Sequence, residues 1–267
     1  MKIGIIGMGK IGDAVVRGLQ RKHSKGVEIQ GTTRSKDSSA VAAKRLGISV
    51  HTDNAKLVAG SDVIVLAVKP YQVQKVLEGV KGSFSKGKLL VSVCTGIMTE
   101  SLFDWSGRRA AVIRAMPNMP CQIGEGMTVL CLGPQATDGQ LADAAKIFGA
   151  VGRTAVVEEN LMDAATGLSA SGPAYVYVIL EALSEAGVKV GLPRDVSRLL
   201  AAQTMMGSAK MVLERGEHPA TLKDEVTTPA GTTIDGLMAL EEGKLRATLI
   251  KAVVVATKRA RSLRSPT

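Results

Sequence analysis

Three glycines fix what the start of this chain can become. Gly7, Gly9 and Gly12 stand in GMGKIG, directly after the apolar run 2–6 and directly before an amphipathic run over residues 10–21. A strand that turns this sharply into a helix needs a residue without a Cβ at the turn, and the other two glycines allow two more close approaches to the backbone. The same alternation continues to about residue 160. Short β-branched runs at 3–6, 27–32, 63–67, 89–93 and 111–115 alternate with helical patterns, followed by strands at 127–132 and 154–157 with a helix over 137–148 between them.

These runs are nearly continuous in Val, Ile and Leu, as strands are when helices cover both faces of a mostly parallel sheet. After Glu159 the strand-like runs stop. Patterns of 3.6 period take over at 163–187, 194–215, 232–242 and 245–263, with Gly191, Leu192 and Pro193 marking a stop and a restart. The expected fold is α/β: an N-terminal Rossmann domain, doubly wound around a mostly parallel sheet, over residues 1–160, then an all-α domain over residues 161–267. Asn160 and Asp163 are spaced as a capping box at the junction.

Composition narrows the function. Aromatic residues are 3% of the chain, too few for a nucleic-acid surface built on base stacking. The net charge of +10 lies mostly before residue 160, where it suits a polyanionic small ligand or simply a charged surface. Three cysteines, odd in number and without CxxC spacing, point away from a disulfide framework or a zinc site and toward a reducing cytoplasm. No signal-peptide pattern opens the chain, and no apolar run approaches the roughly 18 residues of a membrane span. Neither a nucleic acid nor a membrane is expected as a partner.

A glycine triplet at a strand-to-helix turn is the fingerprint of a dinucleotide cradle. The first glycine makes the turn, the second lets a pyrophosphate approach, and the third packs helix on strand, while free amides at the helix start bind phosphate. This assigns Ile6, Gly7, Met8, Gly9, Lys10 and Ile11 to the cofactor. At the end of the second strand, where NAD-preferring sites carry Asp or Glu, the sequence has Thr32, Thr33, Arg34 and Ser35. A guanidinium and hydroxyls suit a 2′-phosphate, so NADPH is expected ahead of NADH. Ligands of open α/β sheets lie beyond the carboxyl ends of strands, which adds Ala67, Val68, Lys69 and Pro70, and Val93, Cys94 and Thr95. Cys94 reads as a small packed residue rather than a nucleophile, because no histidine is near it in sequence and a thiolate needs a positive neighbour.

With the helical half included, the sequence resembles pyrroline-5-carboxylate reductase over essentially its full length. The resemblance rests on GIIGMGKIG at 4–12, LAVKP at 66–70, RAMPNMP at 114–120, DAATGLSASGPAYVY at 163–177, EAGVKVGLP at 185–193 and LKDEVTTPAGTTIDGL at 222–237. It implies reduction of Δ1-pyrroline-5-carboxylate to L-proline by NAD(P)H, the last step of proline synthesis. It also implies a helical domain that interlocks two subunits, in a family whose members often assemble further into decamers. Two departures stand out. The family usually reads SGSGP where this chain has Ser169, Ala170 and Ser171, and SPGGTTI where it has Thr228, Pro229 and Ala230, so an extra methyl sits at Ala170 and at Ala230.

The resemblance places the substrate carboxylate at Gly231, Thr232 and Thr233 and makes Thr233 the partner of the ring nitrogen. It puts Glu159 at the proline pocket, Asn118 and Ser171 close to the active site, and Asn54 at the cofactor. Glu225 stands where some relatives carry a cofactor-binding asparagine and is not assigned. The residues themselves agree in part: 229–233 precede a helical run, with Thr232 and Asp235 spaced as a capping-box variant, and a helix start with unpaired amides can hold a carboxylate. Asn54 also suits an N-cap.

A protonated cyclic imine is already an electrophile, so a strong protein acid is dispensable. His23, His51 and His218 accordingly lie outside every motif, and no metal cluster or Ser/His/Asp arrangement emerges. The alternatives are a related imine or hydroxy-acid reductase on the same architecture, or a dinucleotide-sensing interaction protein. Apolar stripes such as Leu199, Met206, Met211 and Val253 to Val255 predict an obligate dimer.

Overall fold

The computed structural model describes residues 1–22 and 26–264; His23 lies outside them. By contacts the chain forms two compact units, Met1–Ser171 together with the chain from Val255 onward, and Gly172–Val254.

The first unit is built on eight strands: β1 (Lys2–Ile6), β2 (Glu28–Thr32), β3 (Ser49–His51), β4 (Val63–Leu66), β5 (Leu89–Ser92), β6 (Ala111–Pro117), β7 (Gly126–Leu132) and β8 (Gly152–Val156). They lie in the order β3-β2-β1-β4-β5-β6-β7-β8. Every pairing is parallel except β6 with β7. The connection between those two is too short for a crossover helix, which leaves antiparallel pairing as the geometry it can close. The order reverses between β1 and β4, whose register pairs Ile3 with Val63 and Ile6 with Leu66, so the ligand crevice of this sheet opens beyond Ile6 and Leu66.

Helices cover both faces. On one, Ile3, Ile5, Val65, Val91 and Ile113 pack with Val15, Val16 and Leu19 of α1 (Lys10–Lys22) and with Ile147 and Phe148 of α6 (Asp138–Gly149). On the other, Ile6, Ile64, Leu66, Leu90 and Val112 meet Leu57 of α3 (Asn54–Gly60), Leu77 of α4 (Val73–Val80), and Leu102 and Phe103 of α5 (Thr99–Trp105). Each such side chain contributes roughly 1.5–3 kcal/mol by leaving water. The helix α2 (Lys36–Leu46) starts on a Ser35 capping box with Ser38, and α6 on a Thr137 box with Gln140.

The strand-to-helix change near residue 160 is present, but the compact unit extends to Ser171. The reason is packing: Met162 of α7 (Met162–Ala165) is buried against Met116, Val129 and Cys131 of the sheet. The single helix expected over 163–187 is three pieces, α7, a π-helical turn at Thr166–Ala170, and α8 (Gly172–Lys189). Asn160 makes no capping box. Its amide donates to Glu158 at 3.4 Å, and the start of α7 carries no side-chain cap.

The second unit is helical: α8, α9 (Arg194–Arg215), α10 (Pro219–Glu225), α11 (Thr232–Glu242) and most of α12 (Leu245–Ser262). Gly187 lets α8 and α9 touch, since a Cβ there would lie 2.0 Å from the Ser197 hydroxyl, which itself donates to the Ser184 carbonyl at 2.6 Å. Little else is buried. Leu199, Met206 and Met211 are exposed, a surface that a single copy of the chain leaves in water. Among the described residues no helix is long and apolar enough to cross a membrane.

Candidate active site

The three glycines at the turn from β1 into α1 differ in their surroundings. Gly7 has φ +101, and a Cβ on it would meet the Ala67 carbonyl oxygen at 2.6 Å. Gly12 lies against the turn itself, with the Gly7 carbonyl 2.4 Å from a would-be Cβ. Gly9 has nothing within 4 Å. Two glycines therefore serve packing and the middle one faces open space, as a backbone approached by pyrophosphate requires. Met8, Gly9 and Lys10 line a cleft at the start of α1 together with Asp13, Arg17 and Arg45; Arg45 is paired with Asp13 at 2.7 Å, which leaves Lys10 and Arg17 as the cleft's uncompensated cations. Ile6 is buried, with its carbonyl accepting from Ala67, so its role there is that of backbone.

At the end of β2, Thr32 is buried and its hydroxyl has no partner, so it offers nothing to a ligand at the surface. The Thr33 hydroxyl is tied to Ser39 at 2.7 Å, and Ser35 is the N-cap of α2. Arg34 is exposed and lines a second cleft with Asp53, Asn54, Tyr71, Gln72 and Lys75. The structure thus brings Arg34 and Asn54 to one cleft and adds Tyr71 and Lys75, for which the sequence carries no signal. Asn54 is not the N-cap of α3: Asp53 is, its carboxylate accepting from the Lys56 amide at 2.9 Å.

Two loops border the crevice beyond β4 and β5. In the first, Pro70 opens a 3₁₀ turn and the Lys69 amide donates to the Gln72 side chain at 3.2 Å. In the second, Val93 donates to Leu66, and the Cys94 thiol donates to the Val68 carbonyl at 3.2 Å, which stitches the loops together. Burial pushes the Cys94 thiol up to about 11, so it is a packed thiol and not a thiolate nucleophile. The Thr95 hydroxyl faces the Met116 sulfur at 3.8 Å.

Behind these loops lies a charged network absent from the sequence reading. Both carboxylate oxygens of Glu159 accept at 2.7 Å from Thr99, one from its amide and one from its hydroxyl, which caps the start of α5. Arg114, buried on β6, sits 3.7 Å from Glu159 and 3.9 Å from Asp163. Asn118 uses both ends of its amide, accepting from Met127 at 2.9 Å and donating to the Ser169 carbonyl in the π-turn at 3.3 Å. Ser171 closes that turn, its amide donating to Thr166. Such turns gather at functional sites, and this one holds the first four residues of the GLSASGP motif.

In the second unit, Gly231 donates to the Thr228 carbonyl at 3.1 Å, closing a turn with Pro229 and Ala230 at its centre. Ala230 has φ +58, a left-handed conformation that turns of this kind usually give to glycine. Gly231 is the N-cap of α11 and no side chain caps the helix. The expected capping box of Thr232 with Asp235 does not form, because Thr232 is already the first helical residue. The first amides of α11 are therefore left for an anion. Glu225 is bound bidentately by Arg215, at 2.7 and 2.8 Å. His218 caps α10, and the His51 imidazole accepts from the Asp53 amide. Among the described residues no group of His, Cys, Asp or Glu is placed to hold a metal ion.

Comparison with known proteins covers both halves. Residues 159–263 match a family described as pyrroline-5-carboxylate reductase dimerisation, and residues 2–96 one described as NADP oxidoreductase, coenzyme F420-dependent. The chain is 43% identical to pyrroline-5-carboxylate reductase of Arabidopsis thaliana over 98% of its own length and 95% of that protein. It is 38% identical to that of Escherichia coli strain K12, over 98% of each. Among solved structures it is similar to a pyrroline-5-carboxylate reductase from Coxiella burnetii, with a TM-score of 0.94 at 35% identity over 99% of this chain and 98% of that one. It is also similar to a pyrroline carboxylate reductase from Plasmodium falciparum with NADP bound, with a TM-score of 0.86 at 32% identity over 99% and 98%. By identity, coverage and fold together, the chain belongs to the pyrroline-5-carboxylate reductase family.

Proposed function

We infer that the protein reduces Δ1-pyrroline-5-carboxylate to L-proline with NAD(P)H, the last step of proline biosynthesis. The reading is carried by kinship that spans both the glycine cradle and the uncapped start of α11, the two sites such a reaction needs. The dinucleotide, when bound, supplies the hydride. The turn from Gly7 to Ile11 holds its pyrophosphate, with Gly9 leaving the backbone open to it. Arg34, Asn54 and the turn at Thr33 and Ser35 hold the adenosine end, and the two cations of that cleft, Arg34 and Lys75, outnumber Asp53 and favour NADPH. The loops Ala67 to Pro70 and Val93 to Thr95 border the nicotinamide.

The turn from Gly231 to Thr233 takes the substrate carboxylate through the amides of Thr232 and Thr233, the Gly231 amide being held by the Thr228 carbonyl, and the Thr233 hydroxyl orients the ring nitrogen. In the first unit Asn118, Glu159 and Ser171 are assigned to the substrate, Asn118 and Glu159 by holding the π-turn and the start of α5 in place. The imine enters already protonated. Hydride adds at its carbon, the C=N electron pair moves to nitrogen, and the amine forms without a protein acid. Catalysis then comes chiefly from holding donor and acceptor in register.

Two copies pair through the helical half, a contact that the exposed apolar residues of α9 support, and the family resemblance extends this to pairs assembling into a decamer. Three free, buried cysteines suit a cytoplasmic location. The test is NADPH oxidation on addition of racemic pyrroline-5-carboxylate, run beside pyrroline-2-carboxylate and small 2-keto acids. Turnover of the first substrate is expected to dominate. Preference for a keto acid would replace this function with a hydroxy-acid reductase, and NADPH binding without any turnover would make the protein a sensor.

A further inference from the structure

Asp163 is only 1% exposed, and it shares the one cation of β6 beside it, Arg114, with Glu159. Its main partner comes from the far end of the chain. The Nε and Nη2 of Arg264 both reach Asp163 Oδ2 at 2.6 Å, while Arg114 stands 3.9 Å from its other oxygen. The turn that ends α12 brings a second contact with it. The Leu263 carbonyl lies against Gly96, where a Cβ would be 2.6 Å away, and Gly96 has φ +80. Gly96 directly follows Val93, Cys94 and Thr95.

We propose that the Arg264–Asp163 pair is a positioning device for the reaction, which seats the C-terminal turn on Gly96 and so fixes the loop 93–98 at the nicotinamide end of the cofactor site. The inference rests on the function proposed above and deepens it. Loop 93–98 is held from two sides that share one charge network. Leu263 presses on Gly96, and at the other end Arg114 reaches the Met98 sulfur at 3.8 Å and Glu159 caps Thr99. Arg114 couples the two. Its Nε and Nη2 have no hydrogen-bond partner, so its place is set by the charges of Glu159 and Asp163 rather than by directional bonds. Removing Arg264 leaves Asp163 to pull on Arg114 alone and frees the turn above Gly96. Asp163 is buried while Arg264 is 36% exposed, so the pair is a weak source of net stability, and its role here is to fix where the C-terminal turn sits.

The test compares the intact enzyme with Arg264→Ala and Arg264→Lys. The readouts are NADPH affinity by fluorescence, KM for pyrroline-5-carboxylate, kcat and thermal midpoint. In Arg264→Ala the NADPH dissociation constant is expected to rise roughly 3- to 30-fold, the range for residues that act on a site through others. The KM for the imine changes by less than the NADPH dissociation constant does, because Glu159 keeps both of its bonds to Thr99. Arg264→Lys recovers part of the loss, because it keeps the charge without the two-pronged fork. A lower thermal midpoint with unchanged NADPH affinity, or equal weakening toward both substrates, would make the pair merely structural and overturn the proposal. If Arg264→Ala does not fold, Arg264→Lys decides by the same comparison. Failure of the unsubstituted enzyme to turn over pyrroline-5-carboxylate would sink the functional reading instead, and the NADPH affinities would still be comparable.

Discussion

The Ala67 carbonyl oxygen stands 2.6 Å from where a Cβ on Gly7 would be, whereas the same construction on Gly9 meets nothing within 4 Å. The two glycines of one motif are therefore needed for different reasons, and substitution separates them. Gly9→Ala is expected to change stability by no more than about 0.5 kcal/mol, as exposed positions do. Its NADPH affinity should fall at least about tenfold, because the methyl occupies the pyrophosphate approach. Gly12→Ala, directed at the Gly7 carbonyl, should lower the thermal midpoint as well. Equal losses of stability in both variants would contradict this division.

What was legible in the sequence was local. The glycine triplet, the apolar strands and the helices at 194–215, 232–242 and 245–263 each carry their signal within a few turns of chain. The three residues of β3 are too few to show a period, and α10 begins on Pro219 behind a histidine cap, a start signal that has no apolar stripe to accompany it. The π-turn at Thr166–Ala170 adds one residue to a helical repeat without a composition of its own. Contacts set by topology were out of reach. Tyr71 and Lys75 come to Arg34 because β4 lies beside β1, and Glu159 reaches Thr99 from 60 residues away.

Lys75 and Arg34 border one cleft with Asn54 and Tyr71, so the 2′-phosphate should depend on both cations. Lys75→Ala is expected to raise the KM for NADPH roughly 3- to 10-fold, the loss of one charge-assisted contact, and to leave that for NADH unchanged. Arg34→Asp should show a larger effect of the same kind. Parallel changes with both dinucleotides would remove these residues from the choice between them.

Burial pushes Cys94, Cys121 and Cys131 from an ordinary 9.0 up to about 11. At pH 8 all three are protonated and enclosed, so the native protein should react with thiol reagents far more slowly than the urea-unfolded chain. The stability consequence has a definite sign. The folded values are raised, so the unfolded chain loses these protons first, and stability present below pH 9 should fall as pH rises through 11. One cysteine labelled quickly at pH 8 and protected by NADPH would contradict the packed reading of Cys94.

Thr233 is the second residue of α11, beyond a helix start that no side chain caps. If its hydroxyl orients the imine nitrogen, Thr233→Ala should lower kcat by about 10- to 1000-fold, the range for one positioned polar contact, with NADPH affinity unchanged. Thr233→Ser keeps the hydroxyl and should recover most of the rate. Full turnover by the alanine variant would take Thr233 out of the mechanism.

Ala230 holds φ +58 at the centre of the turn that leads into α11. Two effects oppose each other on replacing it. A left-handed residue with a Cβ is strained by roughly 1–2 kcal/mol, which glycine relieves. Glycine also loosens the unfolded chain, at a cost of about 0.4–1 kcal/mol. The strain term is the larger, so Ala230→Gly should gain roughly 0.5–1 kcal/mol and raise the thermal midpoint by about 1–4 °C for a chain of this size. Ala230→Val tests the same geometry in the opposite direction, since a β-branched residue tolerates this conformation worse than alanine does. It should lower the midpoint and, because the turn sets the first amides of α11, raise the KM for the imine. A valine variant as stable and as active as the parent would mean that this turn is not held in the left-handed form.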